Sequence, residues 1–190
     1  MRTVPRWTVL SATCAPVLLI GGWQLAAARQ AGGFDPVSQT ISALAARGAT
    51  DRWIMTTALA GVGVCHAITA GGLRSAAIPG RLLLATGGVG TVVLAAFPQP
   101  VTGDSSAHVA TAAIVFPALS LWPALAARHG ATPGPVTALV ATLGLLGLLG
   151  WFGLESFGDG PRVGLSERLL AGAQALWPLA AVLLARRRPG

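Results

Sequence analysis

The sequence predicts an all-α, polytopic integral membrane bundle of six transmembrane helices, with a short interfacial helix in its first long loop. Three observations lead there. Hydrophobic residues make up 53% of the 190 residues and charged residues only 10%, with a mean hydropathy of +0.67. A soluble domain carries about 25% charged residues, so no water-facing surface can be built from this composition. Six apolar stretches, over 7–27, 53–73, 82–98, 108–127, 136–154 and 165–185, suit a hydrocarbon core of about 30 Å, which takes about 20 helical residues. The third observation is that all 13 basic residues are Arg and sort unevenly between alternate loops. With only two cysteines, no fixed period and few charges, the chain reads as neither a disulfide scaffold, nor a repeat array, nor a disordered segment. The spans use most of the chain, so a single membrane domain over 1–190 is expected, with no soluble domain beside it.

The first span follows Arg2 and Arg6 and precedes Ala26-Ala27-Ala28, a signal-peptide-like arrangement. Its apolar run of about 20 residues exceeds the 7–15 of a signal peptide, so a retained helix is expected. Gln24 lies inside it, near the outer end. The first outer loop is the longest. It contains Asp35-Pro36-Val37-Ser38-Gln39-Thr40-Ile41-Ser42, in which Asp35 suits a helix N-cap and Pro36 a first helical position. A helix over 36–46 is expected, with Val37, Ile41 and Leu44 on an apolar face and Ser38 and Ser42 on another. It can serve as a packing element and, compatibly, as a lid or wall of a pocket. Asp51 is expected to cap the second span, with Arg52 and Trp53 as interface anchors. That span carries Cys65 and His66, the latter at mid-membrane depth or deeper.

The third span is the shortest. After it, Asp104 or Ser105 caps the fourth, where Asp104 and His108 stand four apart on one helical face. A carboxylate beside an imidazole raises its basicity and suits acid–base work. The plainer alternative is a capping Asp and an interfacial His. Pro117 and Pro123 in the fourth span, and Pro178 in the sixth, are expected to kink or unwind their helices. Gly144, Gly147, Gly150 and Gly153 in the fifth are expected to allow close helix packing, as are Gly61, Gly63, Gly87, Gly88 and Gly90. Glu155 follows the fifth span, and Asp159 sits in a turn. Glu167 and Arg168 open the sixth, where Glu167 gains from the helix dipole. Gln174 continues its face seven residues on, a polar residue within the membrane and so a functional candidate. Trp177, Trp122 and Trp23 either line a cavity or simply pack.

Charge gives an orientation. With the N-terminus inside, the inner loops and tails hold Arg2, Arg6, Arg74, Arg81, Arg128 and Arg186–Arg188, eight in all, against five outside. Both termini are therefore expected to be cytoplasmic, in the cell's inner membrane, with the Arg tail near anionic headgroups. All six acids, Asp35, Asp51, Asp104, Glu155, Asp159 and Glu167, then fall outside. They are either solvated caps or the rim of an outward-facing polar pocket.

The absent motifs narrow the chemistry. There is no Cys-x-x-Cys pair, no phosphate loop, no nucleophile elbow and no Asp-rich diphosphate motif. The three His residues do not pair in depth for haem, and one outer His is too few for a usual zinc set. No metal, cofactor or nucleic acid is expected.

Three segments carry a family resemblance: Asp35–Ser42, the run Phe97-Pro98 followed by Asp104 and His108, and Gly164-Leu165-Ser166-Glu167-Arg168. Together they resemble the bacterial six-helix membrane family called "domain of unknown function 998", over nearly the whole chain. The resemblance implies the six-helix fold and no settled activity. It draws attention to Asp35, Ser38, Ser42, Asp104, His108, Glu167 and Arg168.

Two functions fit the sequence. One is a small membrane enzyme doing isomerisation, cyclisation or hydrolysis on a lipid-like or isoprenoid-like substrate in a pocket at the outer face. Asp35, Asp104, Glu155 and Glu167 would be its carboxylates and His108 its base. Glu167 and Arg168 would form an orienting pair, and Arg168, Ser38, Ser42, Gln174, Trp177 and Gln24 would contact substrate. The other is a non-catalytic lipid or small-molecule binder, transporter component or assembly partner. The expected partners are membrane lipid and a hydrophobic small molecule, with homo-oligomerisation left open.

Overall fold

The computed structural model describes residues 4–101, 103, 105–129 and 133–187. Among the described residues seven helices form, six of them on the apolar runs: α1 (Arg6–Ala28), α2 (Ile41–Leu44), α3 (Trp53–Gly72), α4 (Ile78–Ala96), α5 (Ser106–Ala126), α6 (Pro135–Phe157) and α7 (Val163–Arg186). Six of them are long and apolar enough to cross a membrane, and the protein is a multi-pass membrane protein. Proline sets two starts. Pro79 draws the beginning of α4 back to Ile78, and Pro135 opens α6, both suiting a first turn whose N–H groups have no partner. Helices α5 and α7 run through Pro117, Pro123 and Pro178 without unwinding.

Each long helix packs on the next, and α7 returns to α1, so the six close a ring. Short α2 lies against α1 and α7 at one end. All the acidic residues described fall at this end, here called the acidic end; the opposite end carries the first and last described residues. Two apolar clusters fill the ring. One, at the acidic end, is built on Leu19, Ile41, Leu44, Met55 and Leu59. The other, at the terminal end, is built on Leu73, Leu84, Leu119, Trp122 and Val182.

Lipid tails are as apolar as the side chains, so close backbone approach drives packing in such a bundle. At Gly63 an added Cβ would strike the Gly88 carbonyl, and at Gly88 the Gly63 carbonyl, so α3 and α4 touch backbone to backbone. Gly87 and Gly90 similarly receive Leu119 and Val115 of α5. The row Gly144, Gly147, Gly150 and Gly153 does not pack: a Cβ at any of them meets nothing within 4 Å. A three-residue step turns about 300° at 3.6 residues per turn, so the row winds around α6 instead of forming one face. Helix α6 is also the least enclosed span, with 17% of its apolar window buried against 33–50% in the others.

Candidate functional site

The loop between α1 and α3 departs from the expected helix over 36–46. Only Ile41–Leu44 is helical, and its N-cap is Thr40, whose hydroxyl accepts the Ala43 N–H at 3.0 Å. The reason lies in Asp35. Its carboxylate accepts the Val37 N–H at 3.0 Å and the Ser38 hydroxyl, closing a local turn instead of starting a helix. Gln39 secures that turn by accepting the Asp35 N–H through its side-chain oxygen at 2.9 Å. The Ser38 hydroxyl first, then the Val37 N–H and the Arg168 charge, hold the exposed Asp35 carboxyl below its ordinary pKa. Val37 is consequently exposed, while Ile41 and Leu44 enter the core.

The turn's remaining backbone groups are taken by α7. The Leu165 N–H donates to the Val37 carbonyl at 2.9 Å. The Arg168 guanidinium donates to the carbonyls of Pro36 at 2.9 Å and Gln39 at 2.6 Å, and lies 5.3 Å from the centre of the Phe34 ring. Gly164 makes the approach possible, because a Cβ there would overlap the Gln39 backbone. Helix α7 begins two residues before the expected position, at Val163, which leaves Glu167 beyond its first turn. Glu167 therefore serves another helix. It accepts the Ile41 N–H and, at 3.1 Å, the Ser42 hydroxyl, and so caps α2 from the adjacent α7 while only 3% exposed.

Beneath this junction a cavity of about 50 Å³ enters the ring. Its walls are mostly apolar, among them Leu19, Leu59, Leu94 and Val115. Its polar lining is Ser42, Glu167, Gln174, Thr91 and His66. Gln174 donates to the Phe116 carbonyl at 2.8 Å and the Ser120 hydroxyl at 3.0 Å, and Thr91 donates to the Gly87 carbonyl at 2.8 Å. Both ring nitrogens of His66 lack a protein partner, although the residue is 1% exposed. Pockets for drug-sized molecules run about 300–1,000 Å³, so a lipid-like molecule does not fit this cavity as it stands.

The family model described as "Protein of unknown function (DUF998)" matches residues 13–184. The chain belongs to that family. No curated protein and no solved structure gives a significant match. In this DUF998 chain, two of the segments that carried the resemblance, 35–42 and 164–168, are packed directly on one another.

The other candidate residues of the DUF998 chain lie apart from that junction. Glu155 closes the α6–α7 turn. It accepts the Trp151 indole N–H at 3.0 Å and the Arg162 backbone N–H at 2.8 Å, with the Arg162 guanidinium 4.0 Å away. His108 is joined through Nδ1 to the Phe97 carbonyl at 2.9 Å, and Ser105 caps α5. Asp104, the proposed partner of His108, lies outside the described residues. Gln24 is exposed on α1 and does not line the cavity. Trp177 lies further along α7 and lines an open apolar groove of about 500 Å³ between α6 and α7. Asp51 does not cap α3 with its side chain. It takes a positive φ of 49° and pairs with Arg29 at 2.9 Å.

Sequence reasoning thus named Ser42, Glu167 and Gln174 but left His66 out of the site. Its signal was present. Leu59, Val62, Gly63 and His66 stand at i−7, i−4, i−3 and i, so the imidazole shares the buried face of α3.

Proposed function

We propose that the protein is a small integral membrane enzyme of a single membrane domain, carrying out non-redox acid–base chemistry on a lipid-like or isoprenoid-like substrate. The observation that carries this reading is Glu167, a buried carboxylate that faces an internal cavity on one side and a docked loop on the other. A carboxylate withdrawn from water is suited to hold and deliver a proton. Glu167 is the acid–base group of the proposal, with Ser42 and Gln174 beside it in the cavity. Arg168 is a positioning residue, because it fixes the loop and not the cavity. Asp35 and Ser38, on the open side of the same junction, form its outer rim. Asp104 and His108 remain a proposed pair at a second junction, and Glu155 orders a third.

The small cavity requires the 29–52 segment to lift for substrate to enter. The open groove between α6 and α7, near Gly144 and Trp177, gives the apolar part of such a molecule a place at membrane depth. The acidic end is assigned to the outer face of the cell membrane and both termini to the cytoplasm, on the Arg distribution.

The test uses cells of the source organism with the chromosomal copy deleted. Membrane extracts are compared by mass spectrometry after restoring the wild-type chain, Glu167→Gln or Glu155→Gln, each at matched accumulation. The wild type and Glu155→Gln should restore the same lipid-soluble species, and Glu167→Gln should not. Restoration by Glu167→Gln overturns the assignment. A second reading is a non-catalytic binder, favoured by the fact that both Glu167 oxygens are already engaged by α2. Extracts that stay identical with and without the wild-type chain select it.

A further inference from the structure

His66 is the exception among the polar groups of the cavity. Thr91 and Gln174 each spend their donors on α-helical carbonyls or a hydroxyl. The imidazole always has at least one N–H to donate, and when neutral one nitrogen to accept, yet neither nitrogen has a protein partner. A buried polar group left this way is costly, and in native structures it is normally met by ordered water or by a functional partner.

Space and depth agree with water. A buried water needs about 10–15 Å³, so the cavity of about 50 Å³ has room for several. His66 follows the start of α3 by 13 residues, which is about 20 Å at 1.5 Å per residue. Glu167 follows the start of α7 by four, which is about 6 Å. His66 therefore lies deeper along its helix than Glu167 does along its own, and both line the one cavity. Ser42, Thr91 and Gln174 line the path and supply the additional polar contacts each water needs. Among the lining side chains only His66 and Glu167 titrate. Beyond His66 the ring is closed by Leu73, Leu84 and Trp122, so the path ends there.

We propose that this cavity holds a file of waters joining His66, at the middle of the bundle, to Glu167, making His66 the proton store of the site. The proton role rests on the proposed acid–base function of Glu167; the water file does not. When the Glu167 carboxyl gives up a proton inward, the waters pass it along and the neutral imidazole becomes imidazolium. The reverse transfer returns both groups to their starting forms, with no oxidant, reductant or other reactant consumed.

The test is solid-state NMR of the full chain in lipid bilayers with ring-¹⁵N histidine. His66 is assigned through His108→Gln and His129→Gln, which leave the cavity intact. The His66 ring signals should receive magnetisation from mobile water and exchange with deuterated solvent, as those of exposed His129 do. Ala171→Leu, at the cavity wall, should abolish the transfer while the fold's other signals persist. Glu167→Gln should keep the water contact but shift the ratio of neutral to charged imidazole. Ring signals without water contact in the wild type overturn the water file. An unchanged imidazole ratio in Glu167→Gln overturns the proton link. A wet His66 in a chain whose extracts show no product leaves the water file standing and removes only the enzyme.

Discussion

Glu155 and Glu167 flank the same turn between α6 and α7, and each accepts one backbone N–H and one side-chain donor. Their consequences differ. Glu155 binds groups four and seven residues away and stabilises its own turn. Glu167 binds groups 125 and 126 residues away, is enclosed, and faces a cavity. Two similar acids at similar positions in the chain therefore have unlike work. One shapes a local bend, while the other joins the first loop to the last helix and also meets the interior. What separates them is the neighbour brought by the fold, since their hydrogen-bond chemistry is nearly the same.

The sharpest way to stress this contrast is Gly164→Leu. The new side chain would occupy the place of the Gln39 backbone, so the loop cannot dock. A loss of about 3 kcal/mol is expected, read as a fall in the thermal midpoint of the purified protein in detergent. Glu167→Ala comes next. It leaves the Ile41 N–H and the Ser42 hydroxyl without their acceptor and should cost about 2 kcal/mol. Glu167→Gln retains an acceptor oxygen and should cost less. Hydrogen exchange at the Ile41 amide should rise in both.

Glu155→Gln should lower the midpoint by less than Glu167→Ala and leave exchange at Ile41 unchanged. If it frees that amide as Glu167→Ala does, the two acids are not distinct in kind. Asp35 gives a smaller effect, with a defined sign. Its folded pKa is depressed below an ordinary value of 3.8, so its contribution is complete above that pH and fades as acid carries the loop through the folded pKa. Protection of the Val37 amide, taken relative to its intrinsic exchange rate, should hold from pH 6 downward and fall only below about pH 4, and in Asp35→Asn this loss of protection with acid should vanish. The smallest effect belongs to Gly147→Ala, whose new methyl meets open space. Its midpoint should hold or rise slightly, whereas Gly63→Ala, at the α3–α4 contact, should fall.

The six spans were legible because a run of about 20 apolar residues has few other uses. The short loop helix was legible in kind and wrong in length. Asp35-Pro36 has the chemistry of a helix start, but the carbonyls of Pro36, Val37 and Gln39 are claimed by Arg168 and Leu165, more than 125 residues away. No local pattern carries that information. The same holds for Glu167, whose partners belong to another helix. Ser42 and Gln174 were found because polar residues near or within apolar spans stand out. His66 was seen but not assigned, since a lone imidazole on an apolar face shows its missing partners only when its surroundings are known.

The docking of α7 on the first loop also sets an order of assembly. A chain is made from its N-terminus, so the 35–42 segment emerges long before the residues that hold it. Until α7 arrives, the Ile41 amide has no Glu167, the Pro36 and Gln39 carbonyls have no Arg168, and α1 lacks the neighbour that closes the ring. Helix α7, made after α1–α6, is thus the keystone of the first loop, and a chain stopped before Val163 would carry five spans around an unfinished wall.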